Sequence, residues 1–251
     1  MNYDLFIFAA EDSADLHGSE LIKKLHQINP NLKILACAGP RMRSQNIDLL
    51  MKMEDFQVMG FIDVLLNIFK LIKNFFYLRK KLLKINPNAC IFIDYADFNL
   101  KIEKSLRKKG YKNKLIHLIS PSIWAWRKNR KYQMAKNLDL LLTIFPFEKK
   151  YFSNTSLKVE YIGHPLAYKI QKTEKKELFE KKYFGIFQGS RQTEITSNLP
   201  YQLEMAKALL QKAKNIKFAI TNSNPTLIKK IFIKYNLELS NFIFFDSKKH
   251  Y

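Results

Sequence analysis

Short apolar runs recur along this chain, and most are closed by a turn that opens a helix-length stretch. Tyr3–Ala9 (YDLFIFA), Leu32–Ala38 (LKILACA), Asn88–Asp94 (NACIFID), Leu115–Ile119 (LIHLI) and Leu138–Ile144 (LDLLLTI) are of this kind. Runs this short and this evenly apolar suit parallel strands buried on both faces. Helical patterns lie between them, from Ser13 to about His26, from Gly60 to Lys84, and from Asp97 or Asn99 to about Lys109. Strands alternating with helices predict an α/β fold with a parallel sheet. Val159–Ile162 is the last strand of this series, closed by Gly163-His164-Pro165-Leu166.

A lysine- and glutamate-rich stretch, Ala167–Lys182, reads as a surface connection. A second α/β unit follows. Tyr183–Phe187 is its first strand and Gly189-Ser190-Arg191 its turn, with a helix over about Thr193–Ala213. Lys217–Thr221, a helix over Pro225–Tyr235, and Phe242–Phe245 complete it. A chain of 251 residues accommodates one large domain or two. The reading is α/β with two Rossmann-like domains, 1–166 and 167–251, the second incomplete.

Charge narrows the partners. Lys and Arg number 43 against 22 Asp and Glu, a net charge of +21, and all but seven of the basic residues are lysine. Lysines neutralise phosphate without reading sequence, so nucleic acid, an anionic membrane face and a phosphorylated substrate all fit. No nucleic-acid motif accompanies them, and the aromatics sit at strand ends instead of along a basic stripe, which argues against nucleic acid. Cys37 and Cys90 both lie in apolar strand-like runs, the pattern of buried thiols in a reducing cytoplasm. The N-terminus lacks a basic region before its apolar run and reads as a first strand, not a signal peptide.

Polar groups collect where strands end, the edge at which open α/β sheets bind ligands. After the first strand comes AEDSADLHG (10–18), with Ser13 as expected N-cap and Glu11, Asp12 and Asp15 in one turn. That acidity suits a hydroxyl-bearing ligand better than a bare phosphate. Asp94 and Asp97 follow the strand at 88–94; either is placed for general-base work, or Asp97 or Asn99 simply caps the next helix. Ser120–Arg130 (SPSIWAWRKNR) holds both tryptophans, Trp124 and Trp126, beside Arg127, Lys128 and Arg130. It is either a wall for a large, polar, anionic ligand or an aromatic plug on the sheet. Within Gly60–Lys84, the segment Phe61 to Lys81 is apolar beyond one stripe and flanked by Lys and Arg. It suits a thick core helix or one lying in a membrane interface.

Taken in order, AEDSADLHG, AGPRM (38–42), VMGFIDVL (58–65), IDYADFNL (93–100), SPSIWAWRKNR, FPFEKKYF (145–152), YIGHPL (161–166) and GSRQTE (189–194) resemble the lipid-A-disaccharide synthase family of GT-B glycosyltransferases. The resemblance implies transfer from UDP-2,3-diacylglucosamine (a UDP-diacylglucosamine donor) to 2,3-diacylglucosamine 1-phosphate, with inversion and without a metal or other cofactor. It implies Asp97 as base, Arg191 with Gly189 and Ser190 at the donor diphosphate, and Glu11, Ser13 and Asp15 at the sugar. Arg127 would meet the acceptor phosphate, and His164 would organise the hinge. A cytoplasmic enzyme peripheral on the inner membrane face follows, docked through Phe61–Lys81. Ala10 and Ala14 stand where the family has glycine, and Ala96 and Gln188 where it has proline. The family's second domain also continues further, so a separately encoded C-terminal half, or a non-catalytic remnant that binds membrane or lipid acceptor, is the alternative.

Overall fold

The computed structural model describes residues 2–56, 64–167, 183–189, 192–213, 215–222 and 224–245, with 64–67 as backbone only. The chain divides into two compact units, Met1–Thr173 and Glu174–Tyr251.

The first unit is built on a seven-stranded sheet in which every pairing is parallel. Its strands are β1 (Leu5–Phe8), β2 (Ile34–Ala38), β3 (Asp48–Lys52), β4 (Ala89–Ile93), β5 (Lys114–Leu118), β6 (Leu140–Thr143) and β7 (Lys158–Tyr161), in the order β3-β2-β1-β4-β5-β6-β7. The helices are α1 (Asp12–Ile28), α2 (Pro40–Arg43), α3 (Val64–Ile85), α4 (Ala96–Lys108) and α5 (Arg130–Asn137).

Strand side chains alternate between the two faces, so each run feeds two cores at once. Phe6, Phe8, Cys37, Cys90, Phe92 and Leu115 pack with Leu78 and Leu82 of α3, Ile102 and Leu106 of α4, and Met134 of α5. Ile7, Ala9, Ala36, Ile91 and Ile93 pack the other face with Ala14 and Ile22 of α1 and Met42 of α2. Helices on both faces are why these strands are uniformly apolar. Cys37 and Cys90 are buried free thiols, and burial pushes Cys90 up to about 12.

Several local expectations change. The passage before α3, irregular in the sequence reading, contains β3. Among the described residues it pairs with β2 alone, and charged Asp48 and Lys52 at its ends blunt an edge strand. Ser13 does not cap α1: the chain stays extended through Glu11 (φ −134°, ψ 158°), which is the N-cap, and Ser13 is an exposed residue inside the helix. Neither Asp97 nor Asn99 caps α4; Tyr95 does, in the left-handed region. Asn99 is buried and turns its amide back onto the carbonyls of Ile93 and Asp94. Gly60 and Phe61 lie outside the described residues, and the described helix runs from Val64. In its second half Leu78 and Leu82 enter the core, with Phe75, Leu83 and Ile85 packed against it. Ile68, Phe69, Ile72, Phe76 and Tyr77 are exposed in the first unit, with Phe69 at 70%.

The second unit has a three-stranded parallel sheet among its described residues. Strands β8 (Phe184–Ile186), β9 (Phe218–Thr221) and β10 (Phe242–Phe245) run in the order β10-β9-β8, with α6 (Gln192–Lys212) and α7 (Pro225–Ile233). Ile186, Leu199, Leu203, Phe218, Ile220 and Phe242 form its own core. Asn224 caps α7 by accepting from the Leu227 N–H at 3.2 Å.

Candidate active site

Strand order reverses between β1 and β4, and there the loops leaving the carboxyl ends diverge, opening a crevice. A cavity of about 1040 Å³ lies there, wholly within the first unit. One wall is apolar: Ile68, Leu71, Ile72, Phe75 and Phe76 of α3. Polar groups also line the cavity: Glu11 after β1, Asp94 and Asp97 after β4, Ser120, Ser122 and Arg130 after β5, and Glu148 after β6.

The rim is conformationally strained. Asp94 (φ 50°), Tyr95 (φ 46°), Ile119 (φ 72°) and Arg127 (φ 53°) all sit in the left-handed region. Asp tolerates this locally, but for β-branched Ile119 it is an outlier, and each such residue costs on the order of 1–3 kcal/mol.

Among these polar groups Asp97 is held by two arginines. Its side chain is 65% exposed, and its Oδ1 accepts from Arg127 Nη1 at 2.8 Å and from Arg130 Nη2. Oδ2 has no partner among the described residues. Both guanidinium groups lie over the Trp126 ring, at 4.3 Å for Arg127 and 5.5 Å for Arg130. A cation held over an indole face gains electrostatic attraction from the ring quadrupole. Both tryptophans are exposed, so neither plugs the sheet. Trp124 instead meets Phe147 edge-on at 5.5 Å, and Phe147 stacks on Phe145.

The other expected residues separate. Glu11 lines the cavity; Ser13 and Asp15 do not. Asp15 is fully buried, and its two oxygens accept from the N–H groups of Arg41 (2.9 Å) and Met42 (3.0 Å), holding the start of α2. Gly39 makes that approach possible: a Cβ there would come within 2.5 Å of Asp15 Cγ. Ala10 and Ala14 carry their methyls in the core. In the second unit Gly189 adopts φ 95°, which favours glycine, while Ser190 and Arg191 lie outside the described residues. Gln188 is buried there; its amide donates to the Thr221 carbonyl and its oxygen accepts from Thr221 Oγ1 at 3.0 Å, bonds a proline could not make. His164 Nδ1 accepts from the Leu166 N–H at 3.2 Å.

Glu148 and Arg130 were missed as site residues. Glu148 is nearly fully buried, and its Oε2 accepts from the Phe145 N–H at 3.1 Å. Burial raises its carboxyl above the ordinary value, opposed by the backbone N–H bonds. Its position, the first acid after β6 in an otherwise apolar FPFE, was the available signal. Tyr95 is raised too, by burial and by the charge of Glu11. No group of three or more His, Cys, Asp or Glu among the described residues is placed to hold a metal.

A family model described as Lipid-A-disaccharide synthetase matches residues 5–250. The lipid-A-disaccharide synthase of Chlamydia caviae is 39% identical over 233 residues, covering 90% of this chain and 37% of its own length. The chain thus spans little more than a third of that relative. Among solved structures, a putative UDP-N-acetylglucosamine 2-epimerase from Listeria monocytogenes superposes with a TM-score of 0.68 at 6% identity, over 98% of this chain and 69% of that one. A trehalose-6-phosphate synthase does so at 0.51 and 13% identity, over 97% and 72%. At these identities the likeness is one of fold, the α/β plan of GT-B glycosyltransferases.

Proposed function

Because the chain belongs to the lipid-A-disaccharide synthetase family, we propose that its first unit is the acceptor side of an inverting glycosyl transfer in lipid A biosynthesis. The acceptor is 2,3-diacylglucosamine 1-phosphate and the donor UDP-2,3-diacylglucosamine. The acceptor 6-oxygen forms a bond to the donor anomeric carbon while the bond from that carbon to the diphosphate breaks. The electron pair leaves on UDP, and the 6-hydroxyl proton passes to Asp97. Arg191, with Gly189 and Ser190, stabilises the departing diphosphate. Glu11 orients a sugar hydroxyl, with Ser13 and Asp15 at the same sugar-binding turn, and Arg127 serves the acceptor phosphate.

The observation that carries this reading is the mixed lining of the cavity. Its α3 residues are apolar and suit acyl chains, and the same cavity is lined by Asp97, a carboxylate bonded to two arginines. The exposed apolar residues of α3, next to Lys70, Lys73, Arg79, Lys80 and Lys81, support peripheral docking on an anionic inner-membrane surface from the cytoplasmic side. No helix among the described residues is long and apolar enough to cross a membrane.

A second reading rests on the exposed apolar residues of α3 beside lysines. It is a binder of membrane or lipid acceptor without turnover, or one half of an enzyme completed by a separately encoded chain. UDP release from the two diacylated sugars tests both. Release by this chain, alone or with a downstream-encoded partner, supports the transferase; none in either case leaves the binder.

A further inference from the structure

We propose that Arg127 and Arg130, laid over Trp126, form a subsite for a phosphate monoester, and that their pairing with Asp97 keeps this carboxylate engaged until that phosphate arrives. The inference rests on the reading of Asp97 as the base. Both guanidinium groups converge on one oxygen, Oδ1, so a single carboxylate oxygen holds two cations. The Arg127 and Asp97 side chains are 50% and 65% exposed, so solvent screens their ion pair and makes it easily exchanged, whereas Arg130 is 15% exposed and keeps its place over the indole. A phosphate monoester brings about −1.5 to −2 charges and three acceptor oxygens, and matches the guanidinium fork better than one carboxylate oxygen does.

The surroundings favour exchange over simple loss. Arg127 is fixed in the left-handed region, Arg130 opens α5, and the Trp126 face supports both groups. An arginine that leaves Asp97 pivots on the indole instead of dispersing into solvent. Lys101, one turn along α4 from Asp97, lines the same cavity as Arg130 and adds a further cation there. In a glucosamine 1-phosphate the phosphate and the 6-hydroxyl lie one sugar width apart. The group that draws the arginines away thus arrives on the same molecule as the proton the carboxylate must take. A sugar without the phosphate leaves Asp97 engaged, so selectivity for a phosphorylated acceptor is exerted at the base itself.

The test titrates glucosamine 1-phosphate, and glucosamine as control, into the 251-residue chain, read by calorimetry and tryptophan fluorescence. Asp97→Asn removes the competitor for the arginines. It is expected to tighten glucosamine 1-phosphate about threefold to tenfold, the worth of releasing the two arginines from this carboxylate, and to leave glucosamine unchanged. Arg130→Gln is expected to weaken glucosamine 1-phosphate and to abolish the tightening when combined with Asp97→Asn. Arg127→Gln gives the same readout should Arg130→Gln misfold by near-UV circular dichroism. A merely long-range charge effect would tighten binding equally in Asp94→Asn. Equal tightening there, or unchanged or weaker binding in Asp97→Asn, overturns the proposal. UDP release from the diacylated sugars, followed in parallel, separates the two readings. Turnover without the Asp97→Asn effect sinks this inference alone; the effect without turnover sinks the transferase reading alone.

Discussion

His117 on β5 and Glu103 on α4 meet through Nδ1 and Oε1 at 2.6 Å, and solvent reaches almost nothing of either side chain. The bond ties the strand that feeds the tryptophan loop to the helix that carries Asp97. Burial pushes the Glu103 carboxyl up, and His117 opposes that rise. Glu103 Oε2 and His117 Nε2 have no partner among the described residues, so this bond is the main compensation for burying both groups.

Removing one side should therefore be costly. Glu103→Ala is expected to lower stability by about 3–5 kcal/mol, because it strands the buried imidazole. Glu103→Gln, which keeps an acceptor, should lose roughly 1–3 kcal/mol. Urea unfolding followed by tryptophan fluorescence measures both. A loss below that range in Glu103→Ala would mean the pair does not hold β5 to α4.

At Asp97 the expectation separates chemistry from attachment. Asp97→Asn should reduce UDP release by about 10²–10⁴-fold, the usual worth of a general base. Sedimentation with anionic vesicles should be unchanged, since Asp97 is not on the exposed stripe of α3. Retained turnover would remove Asp97 as the base.

For α3 the exposed side chains are the ones to change. Burying a phenylalanine is worth roughly 1.5–3 kcal/mol, so Phe69→Glu with Phe76→Glu should cut vesicle binding tenfold or more. The melting temperature should move little, because both side chains are half or more exposed. Binding should also weaken with added salt if the flanking lysines contribute. Undiminished binding by the double variant would place the membrane contact elsewhere.

The acid limb of stability should carry one identifiable contribution. Arg43 donates to both oxygens of Glu54, at 2.8 and 2.9 Å, and this bond holds the carboxyl at about 2 against an ordinary 4.5. A depressed carboxyl stabilises the fold above its unfolded value, so the contribution is present above pH 4.5 and is lost as pH falls toward 2. Both groups are partly exposed, and screening keeps the effect to about 1 kcal/mol or less. Glu54→Gln should flatten the stability-versus-pH curve in that window. An unchanged slope would show that the pair contributes nothing there.

Much of the fold was legible because buried parallel strands leave little room for polar residues. Phe242–Phe245 and Lys217–Thr221 matched their strands to within a residue, as did the helix over Gln192–Lys212. β3 escaped because an edge strand needs no such purity. The caps were misread for a shared reason. Ser13 and Asp97 are good capping residue types, but whether a residue caps depends on where the backbone leaves the strand. Tyr95 at φ 46° is not a conformation that composition reveals. In the site, Asp97 and Arg127 were named separately, yet nothing in their spacing says they touch. Arg130 and Glu148 were passed over because their importance comes from β5 and β6 lying beside β4, a matter of strand order. Asp15 looked like a ligand for sugar because buried carboxylates that hold a neighbouring helix have no sequence signature of their own.

The strand order also has a consequence in time. β1 pairs with β2 on one side, but its other neighbour, β4, is made roughly eighty residues later. At typical synthesis rates that is a delay on the order of ten seconds. Throughout it, the β1 edge of Phe6, Ile7 and Phe8 stands unpaired in the nascent chain. The middle of the sheet, and with it the crevice between β1 and β4, cannot close until β4 arrives, and β5, β6 and β7 then add outward from it. A ribosome-bound chain halted before Ala89 should thus display a sticky apolar edge, the kind of intermediate that a nascent-chain chaperone recognises and that cross-linking on stalled ribosomes would capture.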